Sequence, residues 1–361
     1  MSVVIWYIVA LVSAFVISFI GVPLTAKIAF KIGAVDKPSA RKVHKAKMPR
    51  LGGLGIFIGF TVTALIFLHL PGPMTGVLIG ACIITIVGVL DDIYQLSPVL
   101  KLLGQSIAAI VAMYFGVMVH FLTNPFDGLL WLGYLSLPIT FLWIVGITNA
   151  INLIDGLDGL AAGVSSIAAV TMGVVAWLNG GYEIAFAAFI LVAAIAGFIP
   201  YNFFPARTFM GDGGSNLLGF LLSCIAVLGS VKSAAIFSLF LPIVILGIPI
   251  LDTFFAIIRR INRKTPIFKP DKGHLHHQLL AMGLSHRNSV LVIYSISGFF
   301  GIIACICNFL TGPKATLLAA LLLLFIVWGA DKLGLFSASE EHKAKALDLK
   351  ESASNNKLTR N

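Results

Sequence analysis

Apolar runs of about 17 to 25 residues, each long enough to cross a ~30 Å hydrocarbon core as a helix, recur from Val3 almost to Trp328. No water-soluble core absorbs that pattern. The 361 residues are 58% hydrophobic and only 11% charged, with mean hydropathy +0.99, where a soluble domain carries about 25% charge. In lipid every backbone amide must find its partner within the chain, so the runs are read as helices. The expected fold is an all-α polytopic integral membrane protein of about eleven transmembrane helices. They are placed at 3–24, 51–70, 75–90, 100–118, 135–149, 159–178, 184–200, 215–230, 234–252, 289–309 and 315–330.

The first run has no basic residue ahead of it and exceeds the ~7 to 15 residues of a signal-peptide core, so it is read as a retained helix. Residues 1–336 form one transmembrane domain. The tail 337–361, polar and without hydrophobic period, is expected to be a disordered cytoplasmic extension. Cys82, Cys224, Cys305 and Cys307 all fall in apolar runs and lack zinc-site spacing, so they read as packing residues without a disulfide.

Twenty-three of the 25 lysines and arginines fall in the loops 25–50, 91–101, 201–214 and 253–288 or in the tail, leaving only Lys232 and Lys314 opposite. Cations favour the cytoplasmic side, which places the N-terminus outside and the C-terminus inside.

Five polar clusters lie on that same face. Asp91 and Asp92 adjoin at the end of the third helix, where mutual repulsion and the helix dipole both disfavour them; a divalent cation or a bound proton would relieve the strain. Asn149, Asn152, Asp155 and Asp158 recur every third residue in N-A-I-N-L-I-D-G-L-D-G-L, beside glycines that let a nucleotide or sugar approach. The calcium ladder of an EF-hand is absent from it. Asp212 opens a helix within G-D-G-G-S, where the amides of Gly213, Gly214 and Ser215 favour an anion and the carboxylate a metal. His274, His276 and His277 lie in a basic loop that suits phosphate better than a transition metal. The stretch 40–53, A-R-K-V-H-K-A-K-M-P-R-L-G-G, can bind lipid headgroups or a nucleotide diphosphate. A solvated helix end, a capping turn or positive-inside charge accounts for each cluster taken singly. Gathered on one face, they describe a phosphotransfer basin with helices for a lipid partner.

P-R-L-G-G at 49–53, L-D-D-I-Y-Q-L-S-P at 90–98, the asparagine-aspartate motif at 149–160, F-M-G-D-G-G-S at 209–215 and P-D-K-G-H-L-H-H at 270–277 occur in an order that resembles one family. It is the polyprenyl-phosphate N-acetylhexosamine-1-phosphate transferase superfamily, in particular the bacterial undecaprenyl-phosphate N-acetylglucosaminyl-1-phosphate transferases, and the likeness is greatest to the Gram-positive type that begins wall teichoic acid. The resemblance implies transfer of a sugar-1-phosphate from a UDP-sugar to undecaprenyl phosphate, releasing UMP, with Mg²⁺ or Mn²⁺. By motif position, Asp212 would be the metal ligand and Asp91 and Asp92 the catalytic pair. Asn152, Asp155, Asp158 and Asn202 would contact nucleotide and diphosphate, while Lys45, Lys101, His274, His276 and His277 would hold phosphates or uridine. Whether an aspartate acts as base or forms a phospho-aspartyl intermediate is left open.

His-Leu-His-His in place of three consecutive histidines, and Met48-Pro49-Arg50-Leu51-Gly52-Gly53 in place of Thr-Pro-Thr-Met-Gly-Gly, both favour an N-acetylglucosamine donor over UDP-N-acetylmuramoyl-pentapeptide. Gly213 stands where relatives commonly carry threonine, and retained activity is expected. Expected partners are the UDP-sugar, undecaprenyl phosphate and bilayer lipids, but no nucleic acid; a homodimer is compatible with the architecture. A transporter would place its charges near the bilayer midplane, commonly with internal repeats, and neither is visible.

Overall fold

A computed structural model describes residues 3–37, 46–70, 72–123, 129–232, 239–262, 264–265 and 273–310, with isolated positions to 329. Among the described residues the chain forms α1 (Val3–Ile32), α2 (Gly52–Phe67), α3 (Gly72–Tyr94), α4 (Pro98–Tyr114), α5 (Ser136–Ile154), α6 (Leu160–Leu178), α7 (Tyr182–Asn202) and α8 (Gly211–Lys232). Then follow α9 (Phe240–Ile245), α10 (Gly247–Asn262), α11 (Leu275–Ala281) and α12 (His286–Cys307). Seven of these helices are long and apolar enough to cross a membrane, and α2 and α4 are apolar but shorter, with 16 and 17 residues. The chain is a multi-pass helical membrane protein. The tail 337–361, Lys45 and most of the helix expected at 315–330 lie outside the described residues.

Two differences from the expected helices bear on the site. The helix expected at 75–90 runs to Tyr94, so Asp91 and Asp92 lie inside α3 rather than at its end. The helix expected at 215–230 starts at Gly211, which puts Asp212 in its first turn. Gly211 adopts φ +74°, and a Cβ there would run into the carbonyl of Arg50, so only glycine fits this entry to α8. The single helix expected at 234–252 is broken at Leu246 into α9 and α10, and α10 continues to Asn262 with Arg259 and Arg260 buried. A Cβ on Gly247 would sit 2.6 Å from the Phe300 ring, so the break lets α12 press against the chain.

Two short antiparallel hairpins were not foreseen. β1 (Val35–Asp36) pairs with β2 (Met48–Pro49), and β3 (Phe121–Thr123) with β4 (Leu129–Trp131). The first hairpin fastens the polar end of the bundle: Arg50 N–H donates to the Ala34 carbonyl at 3.0 Å, and Phe209 N–H to the Pro49 carbonyl at 2.8 Å.

At the centre stands α8, packed on α2, α3, α5, α6 and α7. Lipid tails are as apolar as leucine, so helices in a membrane associate through close packing, which small residues permit. Here glycines meet face to face: a Cβ on Gly53 would overlap the backbone of Gly214, and one on Gly88 the backbone of Gly213. These contacts draw α2 and α3 onto the first turn of α8. The C-terminal ends of α3, α5 and α7 therefore meet the N-terminal ends of α4, α6 and α8.

Candidate active site

Asp212 is the hub of that meeting point. Its carboxylate accepts a hydrogen bond from Lys101 Nζ at 2.8 Å and from Asn152 Nδ2 at 3.2 Å. Lys101, near the start of α4, also pairs with Asp91, so one ammonium neutralises two carboxylates brought from different helices. Ser97 caps this helix by accepting from Leu100 N–H at 3.4 Å, and Pro98 opens it, which holds Lys101 one turn in. Asp91 accepts in addition from Leu96 N–H at 2.8 Å.

The amides at the start of α8 are already used. Asp212 N–H and Gly213 N–H donate to the two carboxylate oxygens of Asp92 at 3.1 and 3.2 Å, and Arg50 Nε lies 3.3 Å from the same group. The anion expected at this helix N-terminus is thus a side chain of the protein itself, and the dipole that would strain Asp92 in α3 is offset by that of α8. A Cβ at Gly213 would lie 3.4 Å from its nearest neighbours, Gly88 and Val89, which is ordinary contact.

A second network stiffens the floor. Gln105 donates to Asn149 at 3.3 Å and to Asn216 at 3.0 Å; Asn216 in turn donates to the Asp212 carbonyl at 2.7 Å. Asn152 also donates to Ser215 Oγ at 2.8 Å. Asn149 and Asn152 lie on the last turns of α5, the first bonded to Gln105 of α4 and the second to Asp212 and Ser215 of α8.

Beside Asp212 opens a cavity of about 390 Å³ lined by Arg50, Asn152, Asp155, Asp158, Asn202 and Asp212, with Asp36, Gly156, Leu157, Phe209, Met210 and Gly211 completing the wall. Four carboxylates and one guanidinium make it a site that demands cations. Burial, then the neighbouring Asp212 and Asp92, push the Asp155 carboxyl up to about 7. No three acidic, histidine or cysteine side chains among the described residues already converge to hold an ion. Mg²⁺ needs only one or two carboxylates, completing its shell with water and substrate phosphates, so the donor set fits a cation that arrives with a diphosphate.

The other expected residues fall around this cavity without lining it. Asp91, Asp92 and Lys101 stand behind Asp212. His274 Nδ1 lies 2.7 Å from Asp252 Oδ2, and the His276 ring covers Gly156, where a Cβ would collide with it. Burial, then His277, push the His276 imidazole down to about 4, so it is neutral at pH 7. His277 stacks obliquely on His276 at 4.2 Å between ring centres. Arg50, Gln105, Asn216, Asp252, His286 and Tyr294 were not singled out as site residues. The conspicuous Pro49-Arg50 motif pointed to the first, and Asp252 and His286 are ionisable groups at the ends of apolar runs; Gln105, Asn216 and Tyr294 carry no local signal, since only helix packing brings them in.

Residues 74–230 match the model of glycosyl transferase family 4. The chain is 48% identical over 325 residues to a "probable undecaprenyl-phosphate N-acetylglucosaminyl 1-phosphate transferase" of Bacillus subtilis, covering 88% of this chain and 89% of the relative. A decaprenyl-phosphate N-acetylglucosaminephosphotransferase of Mycobacterium tuberculosis is 35% identical over 316 residues, 78% of each chain. An undecaprenyl-phosphate alpha-N-acetylglucosaminyl 1-phosphate transferase of Salmonella typhi is 30% identical over 331 residues, 88% of this chain and 89% of the relative. Asp91, Asp92, Lys101, Asn152 and Asp212 lie within residues 74–230, and the chain belongs to glycosyl transferase family 4.

Proposed function

We propose that this protein transfers N-acetylglucosamine-1-phosphate from UDP-N-acetylglucosamine to undecaprenyl phosphate, forming undecaprenyl-diphosphate-N-acetylglucosamine and UMP. The observation that carries the reading is the carboxylate-rich cavity beside Asp212 at the polar end of an apolar bundle. A diphosphate with its cation suits the cavity, and a prenyl chain suits the bilayer around it. The relatives' names, alike in polyprenyl phosphate and N-acetylglucosamine, support the same pair of substrates.

In the reaction an oxygen of the acceptor phosphate attacks the β-phosphorus of the donor, a new P–O bond forms, and the bond to the α-phosphate bridging oxygen breaks to release UMP. A phosphomonoester is largely dianionic near pH 7 and needs little deprotonation, so the protein's task is to position two anions and neutralise their charge. Asp212, with Asp155 or Asp158, would hold Mg²⁺ or Mn²⁺, which supplies charge neutralisation of the diphosphate when bound. Arg50 and Asn202 line the same wall and are placed to bind phosphate and uridine. Lys101 bridges Asp91 and Asp212 and holds them adjacent, while Asp92 fixes the turn that presents Asp212. His276, neutral beside Gly156, shapes the wall through its ring.

The sidedness of the lysines and arginines supports a cytoplasmic cavity, on the side where UDP-sugars are made, in a bundle of about eleven helices with its N-terminus outside and the tail 337–361 inside. The product enters a surface glycan, and the likeness to the Gram-positive enzymes favours teichoic acid. Purified protein supplied with Mg²⁺, undecaprenyl phosphate and a panel of UDP-sugars tests the reading. UMP release with UDP-N-acetylglucosamine is expected; release with none of them, or only with UDP-N-acetylmuramoyl-pentapeptide, would overturn it.

A further inference from the structure

The loop 155–159 joins α5 to α6 and carries Asp155 and Asp158 into the cavity. Five glycine-rich residues hold no shape unaided, and Gly159 takes φ +80°. Four contacts from other elements fix this loop. Asp158 N–H donates to His286 Nε2 at 2.9 Å, and the Gly159 carbonyl accepts from the Tyr294 hydroxyl at 2.5 Å. Gly159 N–H donates to Asn202 Oδ1 at 3.0 Å, and Asp158 Oδ2 accepts from Ala206 N–H at 3.0 Å.

Two of the four come from α12, which contributes nothing to the cavity wall. His286 is the first residue of α12, held by the Ser285 cap, and its ring lies flat on Phe204 with centres 4.6 Å apart and planes 26° apart. That stacking fixes the ring plane and keeps Nε2 aimed at Asp158 N–H. Tyr294 lies two turns further along the same helix, seated over Gly163, where a Cβ would overlap its phenol. Both side chains therefore project from one helix face onto consecutive residues of the loop. A half-buried histidine or tyrosine could turn its polar atom to water; these two instead satisfy the backbone next to a cavity carboxylate.

We infer that His286 and Tyr294 are positioning residues, through which α12 fixes Asp158 and Gly159, and with them the loop that carries both cavity carboxylates, for the UDP-sugar. The inference rests on the reading that these carboxylates serve the donor. His286 accepts as the neutral Nδ1–H tautomer, so a glutamine, whose Oε1 can accept the same N–H, replaces its function, whereas alanine does not.

The test is steady-state kinetics of H286A, H286Q and Y294F, with KM measured separately for UDP-N-acetylglucosamine and for undecaprenyl phosphate. Loss of one hydrogen bond to the loop should raise the donor KM about three- to tenfold in H286A and Y294F. The acceptor KM should stay unchanged, and H286Q should restore most of the donor affinity. Y294F keeps the ring over Gly163 and guards against a folding defect. Unchanged donor KM in both H286A and Y294F, or equal rises in both KM values with no recovery in H286Q, would overturn the inference. D155N run alongside separates the two levels. If D155N turns over normally, the reading of the cavity fails; if D155N is inactive while H286A and Y294F match the parent, only the role of α12 fails.

Discussion

At the residue scale the site is a problem in crowding like charges. Asp91, Asp92, Asp155, Asp158 and Asp212 come within one region, and two cations, Lys101 and Arg50, are interleaved among them. Asp155 shows the residual cost: its ordinary value of 3.8 is raised to about 7. Between those values the folded protein keeps a proton that the unfolded chain has released, so the group's contribution to stability is lost as pH rises through that window. D155N removes the charge. In metal-free enzyme at pH 8 its apparent melting temperature should exceed that of the parent, with the difference shrinking at pH 5, while turnover is lost. Lys101 poses the opposite case, since K101M leaves Asp91 and Asp212 to repel each other. Turnover should fall about 100-fold or more, and K101R should recover it only in part, because a planar fork does not replace a compact ammonium between two carboxylates.

The aspartates, asparagines and histidines could be named from their motifs, because ionisable groups beside apolar helices have few reasons to be there unless they act. Arg50 was half visible, inside a motif but hidden by the charge of its loop. Gln105, Asn216 and Tyr294 were not visible at all: each is a polar residue within an apolar run, and such a residue reads as unremarkable until its helix is packed. The use of the α8 amides by Asp92 was equally hidden, since the two residues are 120 positions apart.

At the element scale, glycines decide how closely helices approach. The Gly53–Gly214 and Gly88–Gly213 contacts let α2 and α3 reach the first turn of α8, and through Gly88 bring Asp92 within hydrogen-bond range of Gly213. G88A should therefore cost about 1–3 kcal/mol of stability from overpacking. It should also depress turnover, read from thermal unfolding in detergent and from UMP release. Substitution at Gly213 itself should be tolerated, and G213T should keep turnover. The helix positions followed from apolar run length, yet their ends did not: α3 and α8 each extend into polar sequence because the charges there are paired by neighbouring helices rather than by water. The break between α9 and α10 is local: Pro249 cannot donate to Ile245, where α9 ends, and Gly247 beside it packs on Phe300.

At the scale of the whole molecule, alternating helices carry their polar ends to one side, and the chemistry depends on which side that is. In sealed inside-out vesicles, UDP-N-acetylglucosamine added externally should be consumed; in right-side-out vesicles it should not until the membrane is permeabilised. Chelation of divalent cations should abolish turnover in both, with recovery on adding Mg²⁺. The central claim is that the cavity beside Asp212 transfers a phosphorylated sugar and not the sugar alone. Donor labelled in its β-phosphate decides this most directly: the account predicts that the label enters the lipid product while unlabelled UMP is released. Label remaining in the water-soluble nucleotide as UDP would contradict it.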